Sequence, residues 1–324
     1  MNILHHNLFD EILINPINSG ANKLLIVSGY ATANMAARHI HYVKKILKKQ
    51  IDIELIVGMC GQDGLEIQNH VSLLQLQKSN DTNFKCDYII NRPPVHSKVY
   101  TWLKDDKPFV SFLGSANYTQ NAFSKSQREV ASEINPLSAY DYFKSLSTET
   151  ANCEADNDFL SSNIDFYERK RVIFELNNEH EADKSKNYPG AEKVTLTLLD
   201  SYSGEVPKRS GLNWGQRPEY GRDPNQAYIN IPAPIGRSGF FPDIRNVFTI
   251  ITDDDKQLIC VRAQENGKGL HTTLNNSLMG QYFRYRIGLK NGEEVTLQHL
   301  LTYGRTSVDI HKIDDETYYM DFSV

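Results

Sequence analysis

Cysteine is scarce in this chain: four residues in 324 (Cys60, Cys86, Cys153 and Cys260), none of them in a C-x-x-C pair. That spacing excludes a zinc knuckle and a disulfide framework, and a reducing compartment is expected. No apolar run approaches the ~18 residues that a membrane span needs. No charged-then-apolar stretch opens the chain either, so no membrane contact is expected. A phosphate-cradling P-loop and a dinucleotide fingerprint are both missing, so the chain is not expected to hydrolyse ATP itself. An excess of positive charge is missing too: 35 Lys and Arg face 40 Asp and Glu, a net charge of −5. Such a balance argues against a protein that coats nucleic acid indiscriminately. What is present, 40% hydrophobic, 10% aromatic and 23% charged residues, describes a globular protein and rules out disorder, collagen and coiled coil.

The length allows two domains with substantial cores. Over the first 150 residues, strand and helix patterns alternate. Residues 23–27 are a continuous apolar run, as in a strand buried on both faces. Thr32 can cap a helix to about Lys49, with Met35, Ile40, Val43 and Leu47 on its apolar stripe. Strands are expected at 51–57, 84–90, 95–103 and 109–113, and a helix at 65–78. This alternation predicts an α/β layer sandwich. Residues 177–193 are polar, contain Pro189-Gly190, and form the best linker candidate. Beyond them, short strands are expected at 194–199, 227–231, 247–252, 257–263, 282–289, 307–313 and 317–322, with a helix only at 297–303. Many short strands with turn punctuation predict a barrel or sandwich. The boundaries drawn are 1–178 and 179–324.

Positive charge is concentrated locally. Residues 207–245 hold six Lys and Arg against three acids, and residues 262–290 hold five against one. The first window contains Arg209, Asn213, Trp214, Gln216, Arg217, Arg222, Asn225 and Gln226. The second contains Gln264, Lys268, His271, Thr272, Thr273 and Asn275. Arg offers a forked donor for guanine and Asn or Gln one for adenine, so these two polar arms are candidates for contacting DNA bases and phosphates. Arg217 and Gln216 in the first arm, and Lys268 and Thr272 in the second, are the strongest candidates.

Chemistry is concentrated elsewhere, in His96-Ser97-Lys98, then Gly114-Ser115-Ala116-Asn117, then Glu129. His96 and Lys98 share one face of a strand by its period of two. Roughly one chain in two of this composition carries an H-x-K triplet by chance. The Gly-Ser-x-Asn turn directly after another apolar strand, with Glu129 at the start of a third, lets all five side chains meet at one sheet edge. Competing sites are weaker. Asp52-x-Glu54 lacks the lysine that a metal-dependent nuclease places two residues on, and is better read as alternating charge on a strand. His5-His6 and His39-x-His41 have no third ligand at useful spacing and read as surface histidines. No metal site is expected.

H-x-K followed by G-S-x-N and a glutamate resembles the phospholipase D superfamily in its nuclease branch, over the whole first domain. The family's Asp, five residues after the Lys, is here replaced by Leu103, with Asp105 and Asp106 displaced into the turn. The resemblance implies that His96 attacks phosphorus and forms a phosphohistidine. It further implies that Lys98 and Asn117 bind the phosphate oxygens, that Ser115 assists, that Glu129 orients His96, and that the chemical step needs no metal. The family requires two such histidines. None of the other nine has a Lys two residues on, so a homodimer sharing one site on its two-fold axis is expected. The two-armed β domain resembles the DNA-binding pseudobarrel of plant B-three-type transcription factors. Together the halves are similar to the BfiI and NgoFVII group of restriction endonucleases over nearly the full length. The expected fold is thus an α/β sandwich of phospholipase D type followed by a mostly-β pseudobarrel. The expected function is a type II-like restriction endonuclease of the bacterial cytoplasm, acting on double-stranded DNA. A cognate DNA methyltransferase and an ATPase or helicase-like subunit are its expected partners, and ATP would enter only through that subunit. The alternatives are a phospholipid or small phosphodiester hydrolase using the same site, and a DNA-binding regulator whose nuclease half has decayed.

Overall fold

The computed structural model describes residues 3–80, 82–124, 127–167, 192–244, 246–254, 256–273 and 275–324. It divides into two compact units, residues 1–183 and 184–324. The linker candidate at 177–193, the expected boundary within it and Arg245 of the first basic window lie outside the described residues, apart from the linker's last two positions.

The first unit is built on an eight-stranded mixed sheet. Its principal elements are β1 (Ile3–Leu4), β2 (Lys23–Ser28), α1 (Ala33–Lys45), β3 (Asp52–Val57), α2 (Ile67–Lys78), β4 (Asn83–Ile89), β5 (Lys98–Lys104), β6 (Lys107–Gly114), β7 (Ala131–Ile134), α3 (Pro136–Leu146) and β8 (Thr150–Asn152). Spatial order is β1-β7-β6-β5-β2-β3-β4-β8. β2, β3 and β4 are parallel, joined through α1 and α2, and β5, β6 and β7 then add antiparallel to β2 in turn. Helices on the sheet explain why β2 reads Leu-Leu-Ile-Val without polar alternation: Leu24, Leu25, Ile26 and Val27 are all buried. One face packs Leu25, Val27, Val99 and Leu103 against Ala139 and Phe143 of α3. Thr32 caps α1 by accepting from the Met35 N–H at 3.3 Å, and Asn135 caps α3 by accepting from the Ser138 N–H at 3.0 Å.

Three expectations change here. His39 is a core residue rather than a surface one. It is fully buried, with Nδ1 3.0 Å from the Tyr118 hydroxyl and Nε2 3.2 Å from the Leu13 carbonyl. β5 begins at Lys98, so His96 lies on the segment leading into the strand. Likewise β7 begins at Ala131, two residues past Glu129.

The second unit contains β9 (Lys193–Thr197), β10 (Ile229–Asn230), α4 (Ala233–Arg237), β11 (Val247–Thr252), β12 (Gln257–Ala263), β13 (Gly269–Thr272), α5 (Ser277–Arg286), α6 (Leu297–Tyr303), β14 (Ser307–Lys312) and β15 (Thr317–Asp321). Its sheet runs β9-β14-β15-β11-β12-β13-β10, and the two edge strands approach each other, so the sheet curls into a nearly closed barrel. Phe248, Ile250, Leu258, Cys260, Leu270, Val308, Ile310, Tyr318 and Met320 fill it. One strand expectation fails. Residues 282–289 alternate aromatic or apolar with basic or small side chains, yet most of them belong to α5. There Met279, Tyr282 and Phe283 face the core at helical spacing, and Arg284 is buried with them.

Candidate active site

Strand direction brings the motif together. β2 and β3 finish where antiparallel β5 starts, because Ser28 pairs with Lys98. β6 runs back to that end, where Gly114 pairs with Ala131 at the start of β7. Residues 29–30, 96–98, 115–117 and 129 therefore emerge at one edge, beyond the carboxyl ends of the parallel strands, where open α/β sheets place their ligands. Three glycines allow the close approach. A Cβ on Gly29 would lie 2.9 Å from His96 Cδ2, one on Gly58 1.9 Å from the Val95 carbonyl oxygen, and one on Gly114 2.2 Å from the Val130 carbonyl oxygen.

Lys98 is buried at the head of β5. Its ammonium donates to the His96 carbonyl at 2.6 Å and lies 3.1 Å from His96 Nε2. An ammonium has only donors to offer, so the facing Nε2 presents its lone pair. Burial pushes the Lys98 pKa down, against the opposing pull of the Glu129 carboxylate. Asn117 is oriented from behind: its Oδ1 accepts from the Tyr30 N–H at 3.2 Å, which turns its two N–H donors the other way. Ser115 accepts from the Val130 N–H at 3.0 Å and donates to Glu129 through a short hydrogen bond. This corner can place a nitrogen nucleophile, an ammonium and an amide donor around one tetrahedral anion.

One expectation inside the site is corrected. Glu129 spends its carboxylate on Ser115, and among the described residues no hydrogen bond joins it to His96. Asp105 and Asp106 occupy the turn beyond the far end of β5, roughly 20 Å from Lys98 at ~3.3 Å per residue. They cannot replace the Asp missing at Leu103. Sequence reasoning also missed Tyr30, whose ring meets His96 edge to face at 5.8 Å. The only available signal was its position next to Gly29 after a buried strand.

In the second unit the candidate DNA contacts divide by burial. Asn213 is wholly buried and ties the 207–213 stretch to Val295: its Nδ2 donates to the Pro207 and Val295 carbonyls, and its Oδ1 accepts from the Val295 N–H. Asn225 accepts from the Gly292 N–H at 2.7 Å, and Gln216 donates to the Gly292 carbonyl at 2.9 Å and the Pro224 carbonyl at 3.3 Å. His271, Thr272 and Thr273 are buried along and just after β13. The Thr272 hydroxyl donates to the Asn275 carbonyl, and His271 Nδ1 lies 3.1 Å from Asn276 Oδ1. Thr273 is buried and the other side chains are already engaged internally, which corrects their expected availability for bases. The others are more accessible. Arg222 stacks 4.2 Å from the Trp214 ring and 5.8 Å from that of Tyr220. Arg209 pairs with Glu219. Arg217 and Gln226 are half-buried, and Lys268 and Asn275 are exposed. Gln264 and Asn266 adopt positive φ, at 65° and 57°, in the turn between β12 and β13. Arg262 anchors that turn by donating to the Gly267, Pro242 and Gly236 carbonyls. Among the described residues no group of three or more His, Cys, Asp or Glu is placed to hold a metal ion, and no helix is long and apolar enough to cross a membrane.

Comparison with known proteins matches both units. The family model of the NgoFVII restriction endonuclease N-terminal PLD domain matches residues 6–157. That of the NgoFVII C-terminal B3-like DNA-binding domain matches residues 187–314. A search of curated proteins finds no match. Among solved structures, NucT from Helicobacter pylori is similar at 22% identity over 47% of this chain and 97% of its own, with a TM-score of 0.34. Nuc from Salmonella typhimurium, a phospholipase D family member, is similar at 16% identity over 47% of this chain and 95% of its own, also with a TM-score of 0.34.

Proposed function

The chain belongs to the NgoFVII restriction endonuclease family, a phospholipase D-type nuclease domain joined to a B3-like DNA-binding domain, and from that premise we propose how it cuts. His96 Nε2 attacks the phosphorus of a DNA phosphodiester, a P–N bond forms, and the P–O bond to the leaving deoxyribose oxygen breaks. Lys98 and the Asn117 amide hold the non-bridging oxygens as charge builds on them, work for which other nucleases use a divalent cation. Lys98 first leaves His96 Nε2 for the incoming phosphate, which frees the lone pair for attack. Water then hydrolyses the phosphohistidine.

Each step needs a second histidine, to protonate the leaving oxygen and then to take the proton from water. With one H-x-K motif per chain, the partner is a second copy, and the active site is shared across a two-fold axis. Near the site edge Leu113, Val130 and Tyr142 are 45%, 47% and 37% exposed, an apolar border that a second copy would cover. Double-stranded DNA is the substrate. A cognate methyltransferase and an ATPase or helicase-like subunit complete the proposed system in a bacterial cytoplasm.

The observation that carries the proposal is the His96–Lys98 contact at 3.1 Å beside an Asn117 whose donors face outward. The test is cleavage of unmethylated plasmid or phage DNA in excess EDTA. Cutting or nicking should persist, and an absolute requirement for Mg²⁺ in the chemical step would remove the histidine mechanism.

A further inference from the structure

We propose that Tyr30 is a positioning residue for His96, clamped in place by Asp63, and that this aromatic brace does the orienting that a carboxylate on the imidazole would do. The inference rests on His96 being the nucleophile proposed above. A nucleophilic imidazole must be aimed within a fraction of an ångström for in-line attack. No carboxylate aims this one. The position five residues past Lys98 is Leu103, Asp105 and Asp106 are at the opposite end of the sheet, and Glu129 is taken by Ser115. Among the described residues the only hydrogen-bonding partner of the His96 side chain is Lys98, and Lys98 must move when phosphate arrives.

Gly29 lies against the ring on one side and Tyr30 on another. The Tyr30 ring meets it edge to face, at 5.8 Å and 80°. Tyr30 is fixed at three further points. Its N–H donates to Asn117 Oδ1, its carbonyl accepts from the Ser28 hydroxyl at 2.6 Å, and its own hydroxyl donates to Asp63 through a short hydrogen bond. Asp63 is held in turn: its N–H donates to the Met59 carbonyl at 2.9 Å, and the Met59 N–H donates to the Gly29 carbonyl at 3.0 Å. Tyr30 is 41% exposed. Locking an exposed ring costs side-chain entropy and adds little to a core, so its rigidity is explained by what it touches. Asp63 also raises the Tyr30 pKa, chiefly through the hydrogen bond itself, so the phenol keeps the proton it donates. One residue thus sets two parts of the site, Asn117 through its backbone and His96 through its ring.

The test combines single-turnover cleavage by the full chain with a readout that needs no catalysis. Tyr30→Ala should slow cleavage roughly 10- to 100-fold while DNA affinity and melting temperature stay unchanged. Tyr30→Phe and Asp63→Ala should each give a smaller, equal loss. The double variant Tyr30→Phe/Asp63→Ala should be no worse than either, because both break one hydrogen bond. In the protein without DNA, carbethoxylation of His96, followed by peptide mass spectrometry, should accelerate in Tyr30→Ala. Wild-type cleavage and an unchanged His96 modification rate in Tyr30→Ala would overturn the brace, as would additive losses in the double variant. If Tyr30→Ala does not fold, Tyr30→Phe and Asp63→Ala carry the same comparison. His96→Ala is run in parallel: full activity there would sink the nucleophile assignment, whereas the modification rates judge the brace on their own.

Discussion

Arg284 is the side chain whose removal should most damage DNA reading without touching the nuclease. It is fully buried in α5 and bonded to no carboxylate among the described residues. Its fork donates to the carbonyls of Glu293 at 2.7 Å, Gly280 at 3.2 Å, Pro224 at 3.3 Å and Leu212 at 3.4 Å. Burial lowers its pKa, a sign of how unfavourable the site is for charge. The Gly280 carbonyl lies within α5, and that of Pro224 also accepts from Gln216. The carbonyls of Leu212 and Glu293 therefore depend on Arg284. Two orphaned acceptors at about 1–3 kcal/mol each, less the desolvation recovered by removing a buried cation, give a cost of about 2–4 kcal/mol for Arg284→Met. The second unit should melt roughly 6–15 °C lower. Because Leu212 and Pro224 lie within the first arm, specific DNA affinity should fall more than non-specific affinity. Arg284→Lys keeps the charge but loses the planar fork, and should recover little. Calorimetry of the full chain, with fluorescence anisotropy on cognate and random duplexes, reads all three. An unchanged second-unit transition with unchanged specific affinity in Arg284→Met would show that the arm does not depend on this network.

The meeting of the candidate site's residues at one sheet edge was largely legible because its parts are short-range patterns. His96 and Lys98 flank one residue, Gly114-Ser115-Ala116-Asn117 terminates an apolar strand, and antiparallel pairing carries both to one edge. Orientation was not legible. Whether Glu129 faces His96 or Ser115 is decided by the turn before β7, which no spacing encodes. His39 misled for the opposite reason. A histidine beside another histidine in a Lys-bearing helix looks polar, but its place on the buried face of α1 is fixed by Tyr118, 79 residues away.

The second domain was legible as a class and less so residue by residue. Most strands fall where Gly, Asp and Pro bracket β-branched runs, as in β11 and β12. α5 was misread because aromatic and arginine residues alternating along a sequence also fit a strand. Asn213, Gln216 and Asn225 were chosen for forked hydrogen bonding, and they do use it, but on the backbone of residues 292–295 and on nearby carbonyls. An irregular arm has no ladder to satisfy its peptide groups, so polar side chains must do so. The residue types that can read a base are the same ones that can brace a loop, and only burial tells them apart.

His96→Ala should abolish cleavage with DNA binding intact, and isolated wild-type/His96→Ala heterodimers should be almost inactive, since neither orientation keeps both roles; half-rate cleavage by them would contradict the shared site. The first unit should lose stability as pH falls from about 6.5 to about 4. Burial lowers the His39 pKa to about 4, so the unfolded chain binds a proton that the folded one refuses, at a cost of about 3 kcal/mol by pH 4. His39→Gln should flatten that slope in pH-dependent melting, and an unchanged slope would assign it elsewhere. The arms offer the sharpest separation. With Asn213 and Asn225 turned inward, base contact falls to the more accessible groups of the arms: Arg217 is half-buried, and Lys268 is exposed near the opposite arm's turn. A bidentate Arg–guanine pair discriminates by roughly 1–3 kcal/mol, so Arg217→Ala should weaken cognate binding about 5- to 150-fold and random duplex far less. A lysine on phosphate acts differently: Lys268→Ala should weaken both duplexes alike and reduce the salt slope by about one unit. Asn213→Ala should lower the melting temperature and spare the salt slope, because it removes a brace and no charge. If Arg217→Ala and Lys268→Ala both left every affinity unchanged, DNA would have to dock on another face of the barrel.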